Sequence, residues 1–573
     1  MDAHNGIVTK VSERVKHFHS LQQPFRIYHG STNSTRQSHR NADNTVDTSK
    51  LTNILSIDKE RSTAVVEPNV PLDALLDETL KVGLMPPVVM ELPGITVGGG
   101  FSGTSGESSS FRYGAFDSTV ESIEIVLADG TISKASRTEK PDLFWGAASA
   151  FGTVGVVTLV EVRLKPAKKY VALTYSLSKS ATEYCKKFRE EIDKNEIDFL
   201  DGISYATDST VVCSGVLVDE IPDGQKQITF SQPSDPWFYL RAQDVQKPLR
   251  EGKAVVDYIP IKDYLFRFDR GGFWTARYAF KYFMTPFNSV TRRALNRFMH
   301  TRDMFRAMHK SGIQDFHVIQ DVGVPFDRAP EFHQWLDDQL SMYPIWLCPL
   351  RVRRDDPDSG HGLHAEFADP ATTPELLNYG VWGPVDGTRR DAMEANRRLE
   401  HKVQDFGGKK WLYGQAYYTE EEFWAHYNRG PYDAVREKYG AGYLPNVYDK
   451  VKVDFEAEEA ARNETAVKSR LYKSKRLMGL YGVYHAYKGG DYLMKKEKPA
   501  KTQPVEEKKA EEKVEKKAEE TKAVETKAGE TKAVETKAGE TKAVEAKSEE
   551  KVEENKPVET KQDENKPEEK KVE

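Results

Sequence analysis

Cysteine is scarce: the 573 residues hold three, Cys185, Cys213 and Cys348. They are odd in number and far apart, with no C-x-x-C, which excludes a disulfide framework and a zinc site built on paired cysteines. Each reads as a small buried hydrophobe in a reducing compartment, and no metal site is expected. Long apolar runs are missing too. With no stretch of 18 apolar residues, no spanning helix is expected, and any membrane contact is interfacial. Residues 1–7 lack the apolar core of a secretory signal. An excess of one charge is also absent, the formal net charge being −6. The stretch from Glu497 onward has no aromatics and carries 19 Lys against 23 Asp or Glu, so it accounts for −4 of that total. The rest is close to neutral, and global charge does not point to nucleic acid.

What the sequence does have is glycine in one place. Residues 93–114 read PGITVGGGFSGTSGESSSFRYG, with seven glycines, five serines and two threonines. Glycine lets a backbone approach a ligand closely, and successive N–H groups form a nest for anions. The stretch reads as a phosphate-cradling loop for a nucleotide cofactor. Strand-like flanks, with Phe101, Phe111 and Tyr113, argue against a flexible linker. Gly98 to Gly103 satisfies G-x-G-x-x-G, but a dinucleotide fingerprint needs a helix opening at its third glycine. Thr-Ser-Gly-Glu-Ser-Ser-Ser follows instead, which is poor helix material. A Rossmann unit is therefore not expected.

Other elements take their places around this loop. Residues 25–28 form an alternating strand that enters Gly30-Ser31-Thr32-Asn33-Ser34-Thr35, a second candidate nest. His29 is either a hydrogen-bonded structural residue or a covalent flavin attachment point. Residues 50–57 and 63–66 read as strands, and residues 71–81 as a helix with Leu72, Leu75, Leu76 and Leu80 on one face. A strand is expected over 120–127, followed by a hairpin turn at Asp129-Gly130. A third glycine element, Gly152-Thr153-Val154-Gly155-Val156-Val157, enters a strand over 159–164. Further on, 210–218 and 315–324 read as strands and 331–341 as a helix.

In this order, the Gly-Ser-Thr loop, Pro-Gly-Ile-Thr-Val-Gly-Gly, and Asp142-Leu-Phe-Trp followed by Gly152-Thr-Val-Gly-Val-Val-Thr resemble the FAD-binding domain of the vanillyl-alcohol-oxidase/p-cresol-methylhydroxylase type. Within that superfamily, residues 103–114 and the stretches at 258–261, 273–274, 320–325, 343–349, 412–413, 421–424 and 447–450 are similar to the Delta(24)-sterol reductase (diminuto-like) family. The resemblance implies an α+β protein: a two-subdomain FAD-binding domain of the p-cresol-methylhydroxylase type over 1–170 and an α+β substrate cap over 171–407. A C-terminal segment over 408–460 would return toward the flavin, a basic amphipathic helix would occupy 461–496, and a disordered Lys/Glu repeat tail 497–573.

The implied cofactors are FAD, with NADPH as electron donor, and the implied reaction is reduction of a carbon–carbon double bond in the side chain of a sterol. FAD would be held by Gly30, Ser31, Thr32, Asn33, Ser34 and Thr35; by Pro93, Gly94, Thr96, Val97, Gly98 and Gly99; by Gly103, Thr104, Ser105, Gly106, Ser109 and Tyr113; and by Gly152, Gly155, Val156 and Val157. Proton delivery to an unactivated alkene needs an acid, and Glu107, Tyr113, Tyr413 and Tyr417 are the candidates. No separate NADPH fingerprint occurs, so nicotinamide and substrate would share a cleft and react in turn. An oxidase of an alcohol or sugar lactone using O₂, and a non-catalytic flavin-binding scaffold, remain alternatives.

Residues 258–310 hold eleven Lys or Arg, three Asp and thirteen aromatics. This mixture fits a cap surface with snorkelling arginines, a membrane interface or, less well, stacked nucleic-acid bases. The expected partners are a hydrophobic sterol-like molecule and a peripheral membrane contact, with no nucleic acid. The expected location is the cytoplasm or the cytoplasmic face of the endoplasmic reticulum membrane.

Overall fold

The computed structural model describes residues 1–30, 42–371, 373–463 and 475–488. The nest residues Ser31, Thr32, Asn33, Ser34 and Thr35, part of the 461–496 segment and the 497–573 tail lie outside these. The described residues form a mixed helix and sheet protein.

Two antiparallel sheets organise it. The first has five strands in the order Ile54–Asp58, Thr63–Val66, Gly155–Arg163, Val120–Leu127 and Ile132–Ser136. All its pairings are antiparallel, so the glycine run is not the turn of a βαβ unit. Asp129 closes the expected hairpin turn by accepting from the Thr131 N–H at 2.7 Å. The expected helix spans Leu72–Leu80 and buries Leu72, Leu75, Leu76 and Thr79.

The second sheet has eight strands, ordered Val255–Pro260, Tyr170–Ser178, Ser209–Val218, Phe199–Ala206, Ile345–Leu350, Leu376–Pro384, His317–Pro325 and Lys409–Lys410. Side chains alternate across a strand, and this sheet uses both faces. Val318, Val322, Leu347, Tyr379 and Val381 pack with Phe332 and Leu336 of helix Ala329–Gln339 and Leu399 and Val403 of helix Arg389–Asp405. The opposite parity, Ile319, Asp321, Trp346, Leu350, Asn378 and Trp382, lines a large cavity.

Two helices depart from the sequence reading. Residues 2–20 carried no expected element, yet Asp2–Ser20 is helical and buries Val8, Val11, Val15 and Phe18 at helical spacing. His4, on the same helix, is buried between two carboxylates. Its Nδ1 lies 2.9 Å from Glu67 Oε1 and its Nε2 lies 3.0 Å from Glu124 Oε1. The second is Lys475–Lys488, expected to be amphipathic. Its Gly479 and Gly482 face the protein, where an added Cβ would collide with the Tyr282 ring and with the Ala307 carbonyl oxygen. The other face carries Leu477, Leu480, Tyr481, Tyr484 and Tyr487, all exposed. Small residues and the buried Met478 bring this helix against Thr301–Ser311, while Leu477, Leu480 and three tyrosines stay exposed.

The C-terminal helices bind the first sheet region through polar contacts. The Tyr432 hydroxyl lies 2.7 Å from Thr153 Oγ1, and Arg436 donates to the Thr153 carbonyl at 2.6 Å. Tyr443 donates to the Ala128 carbonyl at 2.6 Å, and Lys438 to Asp142 at 2.6 Å.

Replacing His4 by Ala leaves Glu67 and Glu124 buried with nothing between them. Breaking such a site destabilises by about 3 kcal/mol, so the denaturant midpoint of His4→Ala is expected to fall clearly below that of the wild type. An unchanged midpoint would mean that the contacts of His4 with Glu67 and Glu124 contribute nothing to the fold.

Candidate active site

The cavity measures about 1030 Å³, and its lining comes from both sheet regions. From the first come Arg26, His29, Asn69, Glu91, the glycine run and Phe151 to Val157; from the second come Trp346, Trp382, Trp411, Tyr413 and the aromatic stretch after Gly272. Local packing explains the shape of the glycine wall. A short helix, Val97–Gly103, runs through the glycines themselves, contrary to expectation. Thr96 caps it by accepting from the Gly99 N–H at 3.2 Å, and Val97 and Phe101, one turn apart, are buried. Burial of these two side chains overrides the poor helix propensity of four glycines.

The glycines divide into two uses. A Cβ on Gly98 would meet Pro68 Cβ at 2.5 Å, and one on Gly100 would meet Met90 and Phe116 at 2.5 and 2.9 Å. These two let segments pack. A Cβ on Gly103 would find ordinary contact at 3.7 Å and one on Gly99 would press on the Thr96 hydroxyl at 3.1 Å; both leave bare backbone on the cavity. Beyond the helix, Thr104, Ser105 and Gly106 line the cavity, and their three N–H groups meet no acceptor among the described residues. Thr104 sits at φ +49°, a conformation that a β-branched residue rarely adopts, and its buried hydroxyl finds no partner there either. Ser149 (φ +61°) and Phe151 (φ +51°) share this strain, and their N–H groups donate to the carbonyls of Phe101 and Ser102 at 3.1 and 2.9 Å. Among the described residues, three successive N–H groups without an acceptor thus stand on the cavity beside the backbone of Gly99 and Gly103.

Of the residues picked from sequence, Gly94, Thr96, Gly98, Gly99, Gly103, Thr104, Ser105, Gly106, Gly152, Gly155, Val156, Val157 and Tyr413 line this one cavity. Pro93, Ser109 and Gly30 lie off its wall, and Val97 is buried beneath it. Glu107 is buried behind the wall. Tyr113 sits apart with Lys165, whose Nζ is 3.3 Å from the phenol oxygen. Tyr417 donates to Gln415 at 3.0 Å and is not part of the cavity.

Sequence reasoning gave no role to two of the carboxyls gathered here. Glu91 and Asp321 line the cavity. Asp321 Oδ2 accepts from the Tyr413 hydroxyl at 2.6 Å and Oδ1 from Asn378 Nδ2 at 3.1 Å; Trp411 Nε1 in turn donates to Asn378 Oδ1 at 2.8 Å. Burial pushes the Asp321 carboxyl up to about 7, although both hydrogen bonds oppose the rise. Burial, and then the neighbouring Glu107, push Glu91 well above the carboxylate range. Behind them the Arg267 guanidinium, fully buried, pairs with Asp201 at 2.6 Å. The one signal for Glu91 was its lone carboxylate in Val88-Val89-Met90-Glu91-Leu92.

The family of FAD binding domains matches residues 8–136, so the glycine wall belongs to a flavoprotein. Delta(24)-sterol reductase from Homo sapiens is 30% identical over 416 residues, covering 70% of this chain and 76% of that protein. The Pisum sativum enzyme of the same name is 31% identical over 454 residues, 73% of this chain and 78% of its own. A Delta(24)-sterol reductase homolog from Caenorhabditis elegans is 28% identical over 429 residues, 70% of this chain and 78% of its own. The chain belongs to the Delta(24)-sterol reductase family, and it is an FAD-dependent oxidoreductase acting on a C=C bond.

Because Asp321 holds its proton more tightly folded than unfolded, its contribution to stability is full below about pH 4 and is lost as pH rises through about 7. Asp321→Asn is therefore expected to flatten the fall in melting temperature between pH 5 and pH 8. A fall as steep as in the wild type would contradict the raised value.

Proposed function

We propose that the protein reduces a double bond in the side chain of a sterol with hydride drawn from NADPH, FAD being the carrier between them. The observation that carries this reading is the single cavity, which joins a polar backbone nest to an aromatic chamber. The nest of Thr104, Ser105 and Gly106, with bare backbone at Gly99 and Gly103, would hold the FAD pyrophosphate. Gly152 to Val157, placed on the same cavity, would lie along the cofactor. The chamber of Phe280, Phe298, Met304, Phe305 and Trp382 offers an apolar surface of the kind a sterol buries. In that arrangement the glycine-rich region 1–170 binds the cofactor and the 171–407 region supplies the substrate side. Nicotinamide and sterol would use the shared space in turn.

A sterol reaches water poorly, and the reading includes peripheral contact with a bilayer, consistent with the cytoplasmic face of the endoplasmic reticulum. Among the described residues no helix is long and apolar enough to cross a membrane. The support lies instead on helix Lys475–Lys488. Leu480 lines the cavity and is 58% exposed, Tyr484 is 59% exposed on the same outer face, and Met284 in the cap is 70% exposed. Arg297 stacks over Tyr487 at 5.6 Å. An apolar rim edged by cations suits an anionic interface.

Three measurements check this reading. Under anaerobic conditions NADPH is expected to bleach the flavin, and a Δ24-sterol to restore its absorbance with a product two hydrogens heavier. Peroxide release with an alcohol, and no sterol product, would point to an oxidase instead. Gly99→Ala should fold but lose FAD, whereas Gly98→Ala should lose about 3 kcal/mol of stability through collision with Pro68; flavin content and melting curves distinguish them. In flotation with phosphatidylserine vesicles, the double change Leu480→Ser and Tyr484→Ser is expected to lower the bound fraction severalfold without changing flavin content.

A further inference from the structure

We propose that Gln314 recognises the ring hydroxyl of the sterol and so decides which apolar molecules the cavity accepts. The inference rests on the reductase reading above and deepens it, by naming the polar contact at the end of the substrate remote from the reacting double bond. Gln314 sits in the one-turn helix Ile313–Phe316, between helix Thr301–Ser311 and strand His317–Pro325. It lines the cavity and is 3% exposed. Among the described residues neither its Oε1 nor its Nε2 has a hydrogen-bond partner. Burying an amide without partners destabilises a folded protein. An orphaned carboxamide on a cavity wall therefore marks a place for a ligand that brings the missing polar atoms.

The polar groups nearby are already engaged. The Ser311 hydroxyl donates to the Met308 carbonyl at 3.1 Å and accepts from the Ile313 N–H at 3.3 Å. His317 Nδ1 lies 2.8 Å from the Ile313 carbonyl oxygen. Asn396 accepts from Gln320 at 2.6 Å and donates to the His317 carbonyl at 3.1 Å. A void of about 10 Å³, which Gln314 shares with Asn396 and Tyr417, has room for at most one water. One water leaves part of a carboxamide, with its two donors and one acceptor, unsatisfied.

The position of Gln314 fits the shape of a sterol. The cavity runs along strand His317–Pro325, through His317, Ile319 and Asp321. At the far end of that strand Pro325 pairs with Leu376, and Leu376 with Leu350. Leu350 packs on Gly106, where an added Cβ would stand 2.7 Å from it. The glycine wall thus belongs to one end of the strand and Gln314 to the other, and the nine residues between span about 26 Å. Met304, Met308, Phe316 and Trp382 line the end that holds Gln314. A rigid apolar molecule with a hydroxyl at one end and its double bond at the other matches this layout. Its hydroxyl would donate to Oε1 and accept from Nε2, while its side chain points toward the glycine wall. A ketone or an ether would meet Nε2 alone.

Gln314→Leu removes both orphaned atoms at similar volume. Because a buried unpaired polar group is lost, the sterol-free variant is expected to melt no lower than the wild type. Binding is read on the oxidised holoenzyme by transfer of sterol from cyclodextrin. The variant is expected to bind a Δ24-sterol about tenfold more weakly than the wild type does. Its affinity for the deoxy analogue, in which hydrogen replaces the ring hydroxyl, should stay within twofold. Equal weakening for the two ligands, or an unweakened Δ24-sterol, would overturn the assignment. A variant that melts well below the wild type would make the carboxamide a structural partner and would overturn it too. Wild-type protein that reduces both ligands and binds them equally refutes the role of Gln314 alone. If the wild type binds neither ligand, the reductase reading falls with it.

Discussion

The site depends on how closely one stretch of backbone approaches another. Gly98 donates to the Pro68 carbonyl at 2.8 Å, and Val97 to the Val70 carbonyl at 3.0 Å. No side chain fits between them at Gly98. This contact sets the level of helix Val97–Gly103. The helix in turn receives the loop carrying Ser149 and Phe151, and it ends where Thr104, Ser105 and Gly106 line the cavity. The strain at Thr104, Ser149 and Phe151 is held in place by that clamp, as strain at functional sites usually is. A looser joint would let these residues relax and would close the nest.

Charge is the second constraint. Asp201 pairs with one buried guanidinium, Arg267, which also acts on Glu107 and is stacked on the rings of Tyr264 and Phe268 at 4.0 and 4.7 Å; Glu91 and Asp321 stand on the cavity side. Burial disfavours the ionised form of Glu91, Glu107 and Asp321 and raises all three above the ordinary carboxylate range. Carboxyls whose burial favours the protonated form thus border the cavity, and an apolar surface tolerates that form better than ions. Packing on the second sheet supports this: alternate residues turn Asp321 and Asn378 toward the cavity, while Val322 and Tyr379 anchor the strands to helices on the other side.

Much of the first sheet region was legible in the sequence because its signals are local. Leu72 to Leu80 show helical spacing, and Asp129-Gly130 marks a hairpin. Local propensity misled at Val97–Gly103, where four glycines conceal a helix that the Thr96 cap and the burial of Val97 and Phe101 stabilise. The helix from Asp2 to Ser20 carried its apolar spacing at Val8, Val11, Val15 and Phe18, diluted by charged residues and three histidines. The acid cluster was illegible for a different reason. Residues 91, 107, 201 and 321 come from segments separated by tens to hundreds of positions, and only the two sheets bring them together. Glycine-rich backbone announces itself in a sequence; the company a buried acid keeps does not.

The C-terminal helices have a consequence for how the molecule is made. Thr153 and Phe151 stand on the glycine-walled side, yet their partners are Tyr432, Arg436 and Lys450, close to 300 positions later. A ribosome releases the segment that matches FAD binding domains long before it releases these partners. The nascent polypeptide must carry an unbuttressed cofactor wall through most of its synthesis. Cofactor capture thus belongs to the end of biosynthesis, and truncation anywhere before residue 450 removes a support from the first domain as well as the last helices.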